Sequence, residues 1–161
     1  MALIFQITGF KKSGKTTMTN CFVHQLKAQD YTVAVIKHDA HAFSMDHPNT
    51  DTFSFRESGA DVVAISSSSQ YAIIANEGIT LKDMIAKLPR TDVVLIEGYK
   101  EGPFPKLVMV RDEEDMKTLE GLPNVHSIGT FRDGLSHTIL KLSTQEEQER
   151  LCQTIIKEFL P

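Results

Sequence analysis

Apolar positions along the chain fall into short unbroken runs separated by longer stretches of helical period. Residues 2–8 form the first run, Ala2-Leu3-Ile4-Phe5-Gln6-Ile7-Thr8, which suits a buried strand. From Lys15 to Gln29 the apolar residues Met18, Phe22 and Leu26 recur every four positions, a single stripe fit to lie on a sheet. Residues 31–37 are again strand-like. Strand, helix and strand in so short a length predict a parallel, right-handed βαβ unit.

Residues 38–52 break the pattern. They are polar, lack a period and carry His38, Asp39, His41, Asp46, His47 and Asp51. A short helix is expected over 51–57. Residues 61–66 and 70–75 read as strands, and the turn between them is too short for a crossover. They should therefore form an antiparallel hairpin at an edge. Thr80 followed by Asp83 predicts a capped helix over 80–88. Val93-Val94-Leu95-Ile96 within 92–98 predicts a central strand buried on both faces. Beyond it come a glycine- and proline-rich loop, a strand over 106–111, an acidic helix over 112–119, a last parallel strand over 125–129 and a closing helix over 144–160. The expected fold is α/β: a three-layer architecture with a mostly parallel sheet and an antiparallel edge hairpin.

Composition narrows this little. The 161 residues suit one domain spanning 1–161, and 41% hydrophobic with 24% charged residues argues against disorder. The balance of 17 basic against 21 acidic residues, net −4, disfavours a general nucleic-acid binder. No apolar run approaches the roughly 18 residues of a membrane span. The first apolar run leads straight into a loop motif and does not read as a signal peptide, so a cytoplasmic location is expected. Cys21 and Cys152 lie in helical patterns without metal-ligand spacing and read as buried free thiols, with a disulfide the lesser reading.

The chemistry starts between the first strand and the first helix. Gly9-Phe10-Lys11-Lys12-Ser13-Gly14-Lys15-Thr16 matches G-x-x-x-x-G-K-[ST], followed by Thr17. Such a loop, the P-loop, turns backbone N–H groups around a phosphate at a helix N-terminus, and with it the expected fold is that of a P-loop NTPase. Lys15 would reach the β- and γ-phosphates and Thr16 would meet Mg²⁺. The motif needs an acid at the end of another apolar strand, and Glu97 stands there, followed by Gly98. Asp39, directly after the second strand, is a further candidate for metal or for the attacking water. Lys11, Lys12, Lys100, Lys106 and Arg111 could line an anionic pocket, the alternative being ordinary surface positions. His38, His41 and His47 with Asp39 and Asp46 offer enough ligands for zinc, although polar contacts to a substrate are the commoner use. The five arginines are scattered, with no lid of the kind a small-molecule kinase needs. No Asn-Lys-x-Asp guanine motif occurs. Asp133, in Thr130-Phe131-Arg132-Asp133, is the acid best placed to read guanine.

Together the P-loop, Lys37-His38-Asp39-Ala40-His41 with Asp46, Asp51-Thr52 with Arg56 and Gly59-Ala60, and Glu97-Gly98-Tyr99-Lys100 with Pro105-Lys106 and Arg111 resemble the molybdopterin-guanine dinucleotide biosynthesis protein B family. The resemblance implies a homodimeric, Mg²⁺-dependent GTP-binding protein with weak GTPase activity. It also implies an adaptor role beside the guanylyltransferase that joins GMP to molybdopterin in molybdenum cofactor maturation. By position it places Lys15 and Thr16 on phosphate and Mg²⁺, and Asp39 and Glu97 on metal or water. Lys100, Lys106 and Arg111 match the family's basic positions. Phe10 departs from the wider dimeric metal-chaperone class, whose members carry lysine there. A kinase of a small anionic substrate, or an adaptor that holds nucleotide without turnover, are the other readings. An exposed hairpin edge at 61–75 is a natural place for dimerisation.

Overall fold

A computed structural model describes residues 2–39, 43–136 and 138–160. Contacts divide the chain into two compact units, Met1–His38 with Pro89–Pro161, and Asp39–Leu88.

The first unit is built on six parallel strands in the order β2-β5-β1-β6-β7-β8. These are β1 (Leu3–Gly9), β2 (Val33–Lys37), β5 (Val93–Glu97), β6 (Lys106–Met109), β7 (Val125–Thr130) and β8 (Leu140–Lys141). Its helices are α1 (Lys15–Lys27), α4 (Glu113–Thr118) and α5 (Gln145–Phe159). The two-residue β8 was not expected. The other elements appear where the apolar pattern puts them, differing by a residue or two at the ends, where helices and strands fray.

Alternation along the strands decides the layers. Phe5 and Ile7 of β1, Val93 and Leu95 of β5 and Leu107 and Met109 of β6 share one core with Met18, Phe22 and Leu26 of α1 and Cys152, Ile155 and Ile156 of α5. Val108 and Val110, one residue out of phase, face a second cluster with Leu119 and Ile139, against which Met116 of α4 packs. Each fully buried side chain such as Phe22 contributes about 1.5–3 kcal/mol through burial. Two caps fix where helices begin: Thr144 and Glu147 form a reciprocal capping box at α5, and Asp112 accepts from the Asp115 N–H at α4. At the opposite rim of the sheet from the P-loop, Asp92 accepts from both the N–H and hydroxyl of Thr32, clasping the starts of β2 and β5.

The second unit holds α2 (Asp51–Glu57), β3 (Val62–Ser66), β4 (Tyr71–Ala75) and α3 (Leu81–Lys87). The hairpin forms, in register Val62 to Ala75 and Ser66 to Tyr71, as a two-stranded sheet of its own rather than as an edge of the larger sheet. Val62, Tyr71 and Ile73 share one face and are exposed. The expected Thr80 cap is present, its hydroxyl accepting from the Asp83 N–H. Asp46 accepts from the His47 N–H and from the hydroxyls of Thr50 and Thr52, the first of which, its chief stabiliser, holds its carboxyl below the usual range. Its other oxygen, Oδ2, is buried without a hydrogen-bond partner.

Candidate functional site: a P-loop between two cationic walls

Strand β1 ends at Gly9 because nothing larger fits. A Cβ there would lie 2.2 Å from the Met109 carbonyl oxygen, and the backbone has φ 144°. The loop turns through Lys12 at φ 62° and enters α1 from Gly14 at φ 93°. A side chain on Gly14 would strike the Phe131 ring at 2.1 Å. Ser13 is buried, and its hydroxyl has no protein partner; neither has the buried Thr8 hydroxyl beneath the loop. Polar groups sealed from water at a real cost call for an outside acceptor or donor. A phosphate oxygen supplies an acceptor for Ser13, so the cradle fits a nucleotide phosphate.

Lys15 Nζ donates to the Phe10 carbonyl at 2.6 Å. Its pKa lies below the ordinary lysine value, first because it is partly desolvated and also because Lys100, Lys37 and Arg111 repel it; Glu97 opposes the shift. Thr16 donates its hydroxyl to Glu97 Oε1 at 3.2 Å, and Lys37 Nζ stands 3.7 Å from the same oxygen. Glu97 is 6% exposed. A hydroxyl and a carboxylate in contact at the foot of a P-loop are the donor set that a hard divalent cation such as Mg²⁺ uses, directly or through its waters. Thr16 and Glu97, both read from the sequence as candidates for Mg²⁺, are in direct contact.

The residues after Glu97 form a braced loop. Gly98 (φ 101°) passes against His38, whose ring stacks on Tyr99 at 4.2 Å. Gln6, wholly buried on β1, donates to the Gly98 and Tyr99 carbonyls and accepts from the Phe104 N–H. Lys106, also wholly buried, donates to the Lys100 and Gly102 carbonyls at 3.0 and 2.7 Å. Burial pushes its pKa down, with Glu101 opposing. Lys106 therefore spends its ammonium on the loop backbone. Lys100 Nζ lies 3.6 Å from the centroid of the Phe10 ring, and the Arg111 guanidinium lies 5.6 Å from the same centroid. Arg111 is aimed by a fork to Asp115 at 2.7 and 2.8 Å, which raises its pKa and holds the Asp115 carboxyl low.

On the other flank of the loop a small pocket opens between Ser13, Gly14 and Thr17 and the side chains of Arg111, Phe131 and Arg132. Lys12 also lines it, whereas Lys11 is exposed and lends its carbonyl to Arg111 at 3.5 Å. Asp133 follows directly in the chain, is well exposed, and pairs with Lys141 at 2.5 Å. Phe131 and Arg132 were missed in the sequence; their only signal is their place before Asp133, after the last long strand.

Asp39 belongs to the second unit, where it lines a surface pocket with Phe43, Met45 and Arg56. Lys15, Thr16 and Glu97 belong to the first. Of the histidine set, His38 stacks on Tyr99 and His41 lies outside the described residues. Among the described residues no three His, Cys, Asp or Glu side chains converge as a metal site. Among them, too, no helix is long and apolar enough to cross a membrane.

Residues 4–130 match the family model described as molybdopterin guanine dinucleotide synthesis protein B. The molybdopterin-guanine dinucleotide biosynthesis adapter protein of Haemophilus influenzae is 33% identical over 111 residues, 66% of this chain and 62% of the relative. The chain thus spans somewhat under two thirds of that relative's length. The probable adapter protein of Bacillus subtilis is 31% identical over 126 residues, covering 74% of this chain and 71% of the relative. Among solved structures, Bacillus subtilis MobB superposes with a TM-score of 0.80 at 23% identity over 98% of each chain. The MobB homologue from Bacillus stearothermophilus gives 0.73 at 24% identity over 97% of each. At that identity the superpositions establish the fold.

Proposed function

The chain belongs to the molybdopterin guanine dinucleotide synthesis protein B family, and on that premise we propose that it is a GTP-binding adaptor with slow GTPase activity, serving the attachment of GMP to molybdopterin. The observation that carries the nucleotide part is the contact of Thr16 with Glu97 beneath a loop whose Ser13 hydroxyl is buried and unsatisfied.

In this reading the loop N–H groups from Gly9 to Thr17 and the Ser13 hydroxyl hold the β- and γ-phosphates. Lys15 leaves the Phe10 carbonyl and turns to the phosphates; its partial desolvation strengthens that new ion pair. Thr16 and Glu97 would hold Mg²⁺; Asp39 is the acid that the family resemblance assigns to metal or water. Mg²⁺ supplies charge neutralisation on the phosphate oxygens when bound. Lys37, 3.7 Å from Glu97 Oε1, stands beside the same carboxylate. Hydrolysis is in-line attack of water on the γ-phosphorus, breaking its bond to the bridging oxygen and leaving GDP and phosphate. The scarcity of obvious catalytic groups beyond Lys15 and the acids suits a slow rate.

Guanine is taken by the pocket of Phe131 and Arg132, with Asp133 as acceptor for the guanine N1–H and N2–H₂. Lys100 and Arg111, displayed on Phe10, face a second anion, for which the phosphate of molybdopterin is the natural candidate. Lys106 serves that cation pair by shaping the loop that carries Lys100. The exposed apolar face of the hairpin, Val62, Tyr71 and Ile73, supports a homodimer. The partner enzyme is the guanylyltransferase, in the cytoplasm.

The reading is tested by titrating the protein with fluorescent GTP and ATP analogues with and without Mg²⁺, and by following phosphate release. Mg²⁺-dependent GTP binding that Lys15→Ala abolishes supports it. GTP affinity indifferent to Lys15→Ala sinks it. Transfer of the γ-phosphate to an acceptor would instead assign a kinase.

A further inference from the structure

Helices α1 and α5 meet at a pair of sulfurs. Cys152, wholly buried, donates its S–H to the Sγ of the partly exposed Cys21 at 3.2 Å. One turn further along α1, Gln25 accepts from Gln153 at 3.1 Å, so the two helices are held side by side at this point. The nucleotide reading makes no use of either thiol, and they are the chain's only cysteines. We propose that Cys21 and Cys152 form a peroxide-reactive dithiol, Cys21 the sulfur that meets the oxidant and Cys152 the one that resolves it, closing a reversible disulfide between α1 and α5.

The division of labour follows from position. Only Cys21 is open to a dissolved oxidant; Cys152 sits in the core with Phe5, Phe22 and Ile155. The hydrogen bond from Cys152 stabilises a thiolate on Cys21 and pulls its pKa down, while burial and Glu149 pull the other way. The same bond and burial push the Cys152 thiol up, so it stays protonated as the donor. A reactive cysteine needs thiolate character, access and a neighbouring resolving thiol, and this pair has all three.

The chemistry balances with a hydroperoxide as oxidant. The Cys21 thiolate attacks one peroxide oxygen, an S–O bond forms, the O–O bond breaks, and hydroxide leaves and takes up a proton as water. Cys152 Sγ then attacks Cys21 Sγ. The S–S bond forms, the S–O bond breaks, and the hydroxyl departs with the Cys152 proton as a second water. The two sulfurs lose one electron each and the peroxide gains both. Closing the bond brings the sulfurs from 3.2 Å to roughly 2 Å, which side-chain rotation with a small helix shift accommodates.

The test exposes the folded chain to hydrogen peroxide, then counts free thiols after denaturation and weighs the intact protein. The expected result is loss of both thiols, a mass lower by two hydrogens, a monomeric band without reductant, and full reversal by dithiothreitol. In Cys152→Ala the unresolved Cys21 should gain two oxygens as a sulfinic acid. In Cys21→Ala the sealed Cys152 should stay reduced. The proposal is overturned if wild-type Cys21 runs to the sulfinic acid beside a reduced Cys152, if the disulfide forms between chains, or if Cys152 oxidises equally well without Cys21. The wild-type measurement decides even where a variant fails to fold.

Discussion

Lys100 holds its ammonium 3.6 Å above the centre of the Phe10 ring, so a residue inside the phosphate loop is the platform for a cation from the loop after β5. Arg111 shares that ring from 5.6 Å. Phe10→Ala should release both cations while leaving the backbone of the loop intact. A cation–π contact at a partly exposed site is worth about 0.5–1 kcal/mol, so affinity for a second anion, probed with inorganic phosphate on the nucleotide-loaded protein, should fall about twofold to fivefold. Isothermal titration reads the change, and an unaltered affinity would remove Phe10 from the anion site.

Thr16 and Glu97 should behave as one unit. Glu97→Gln keeps the shape but loses the charge, and Mg²⁺-dependent nucleotide binding should weaken by about 10- to 100-fold, the range for disturbed metal surroundings. Thr16→Ala should do likewise, and the double variant should be little worse than either. Isothermal titration across Mg²⁺ concentrations measures the cycle; additive losses would mean that the 3.2 Å contact is incidental.

Lys106→Met tests the braced loop. It leaves the Lys100 and Gly102 carbonyls unpaired in the interior, and the expected loss of stability is about 1–3 kcal/mol by denaturant unfolding. The pH dependence has a definite sign. The folded pKa of Lys106 lies below its unfolded value, so between those two values the unfolded chain binds the extra proton. Its contribution therefore makes stability rise with pH across that window, and Lys106→Met should flatten the rise. A variant curve parallel to wild type there would contradict the assignment.

The carboxylates give the same sign in the acid range. Asp115, held low first by its bond from Arg111, contributes stability that is present above the unfolded Asp pKa and lost as pH falls through the lower folded one. Asp46 and Asp92, held low first by Thr50 and Thr32, contribute in the same direction. Asp115→Asn should lower stability at neutral pH and narrow the gap to wild type below that window. Thermal melts from neutral pH down to strong acid follow it; a constant gap would mean that Asp115 is not linked to protons.

Asp133→Asn separates base recognition from general affinity. If this acid reads guanine, GTP binding should weaken by about tenfold, the cost of a lost hydrogen bond to a charged group, while ATP binding stays as it was. Competition titrations decide it. Equal losses for both nucleotides would make its pairing with Lys141 a structural one.

Local signals carried most of the frame. Gly9, Gly14 and Lys15 declare the loop because phosphate binding needs fixed backbone spacing. Glu97 could be found because a central strand must be apolar up to the acid that ends it. Thr80 and Asp83 could be read because a cap is a contact within four residues. What escaped depends on distant partners. Lys106 looked like a free cation, since nothing local reveals the two carbonyls that bury it. Gln6 passes in the sequence as one more residue of the β1 run, though it braces the loop after β5. Phe131 could not be tied to Gly14 until β7 was seen to end beside the loop. The two residues of β8 are too few to leave a periodic trace.

The division of the chain at His38 and Pro89 has a topological consequence. Strands β2 and β5, which precede and follow the 39–88 segment, are zipped together by a ladder from Val33 with Val93 to Lys37 with Glu97. None of that ladder is contributed by the segment between them. A backbone cut within 39–88 therefore leaves both strands paired in the same frame, so a nicked chain should keep its six-stranded sheet.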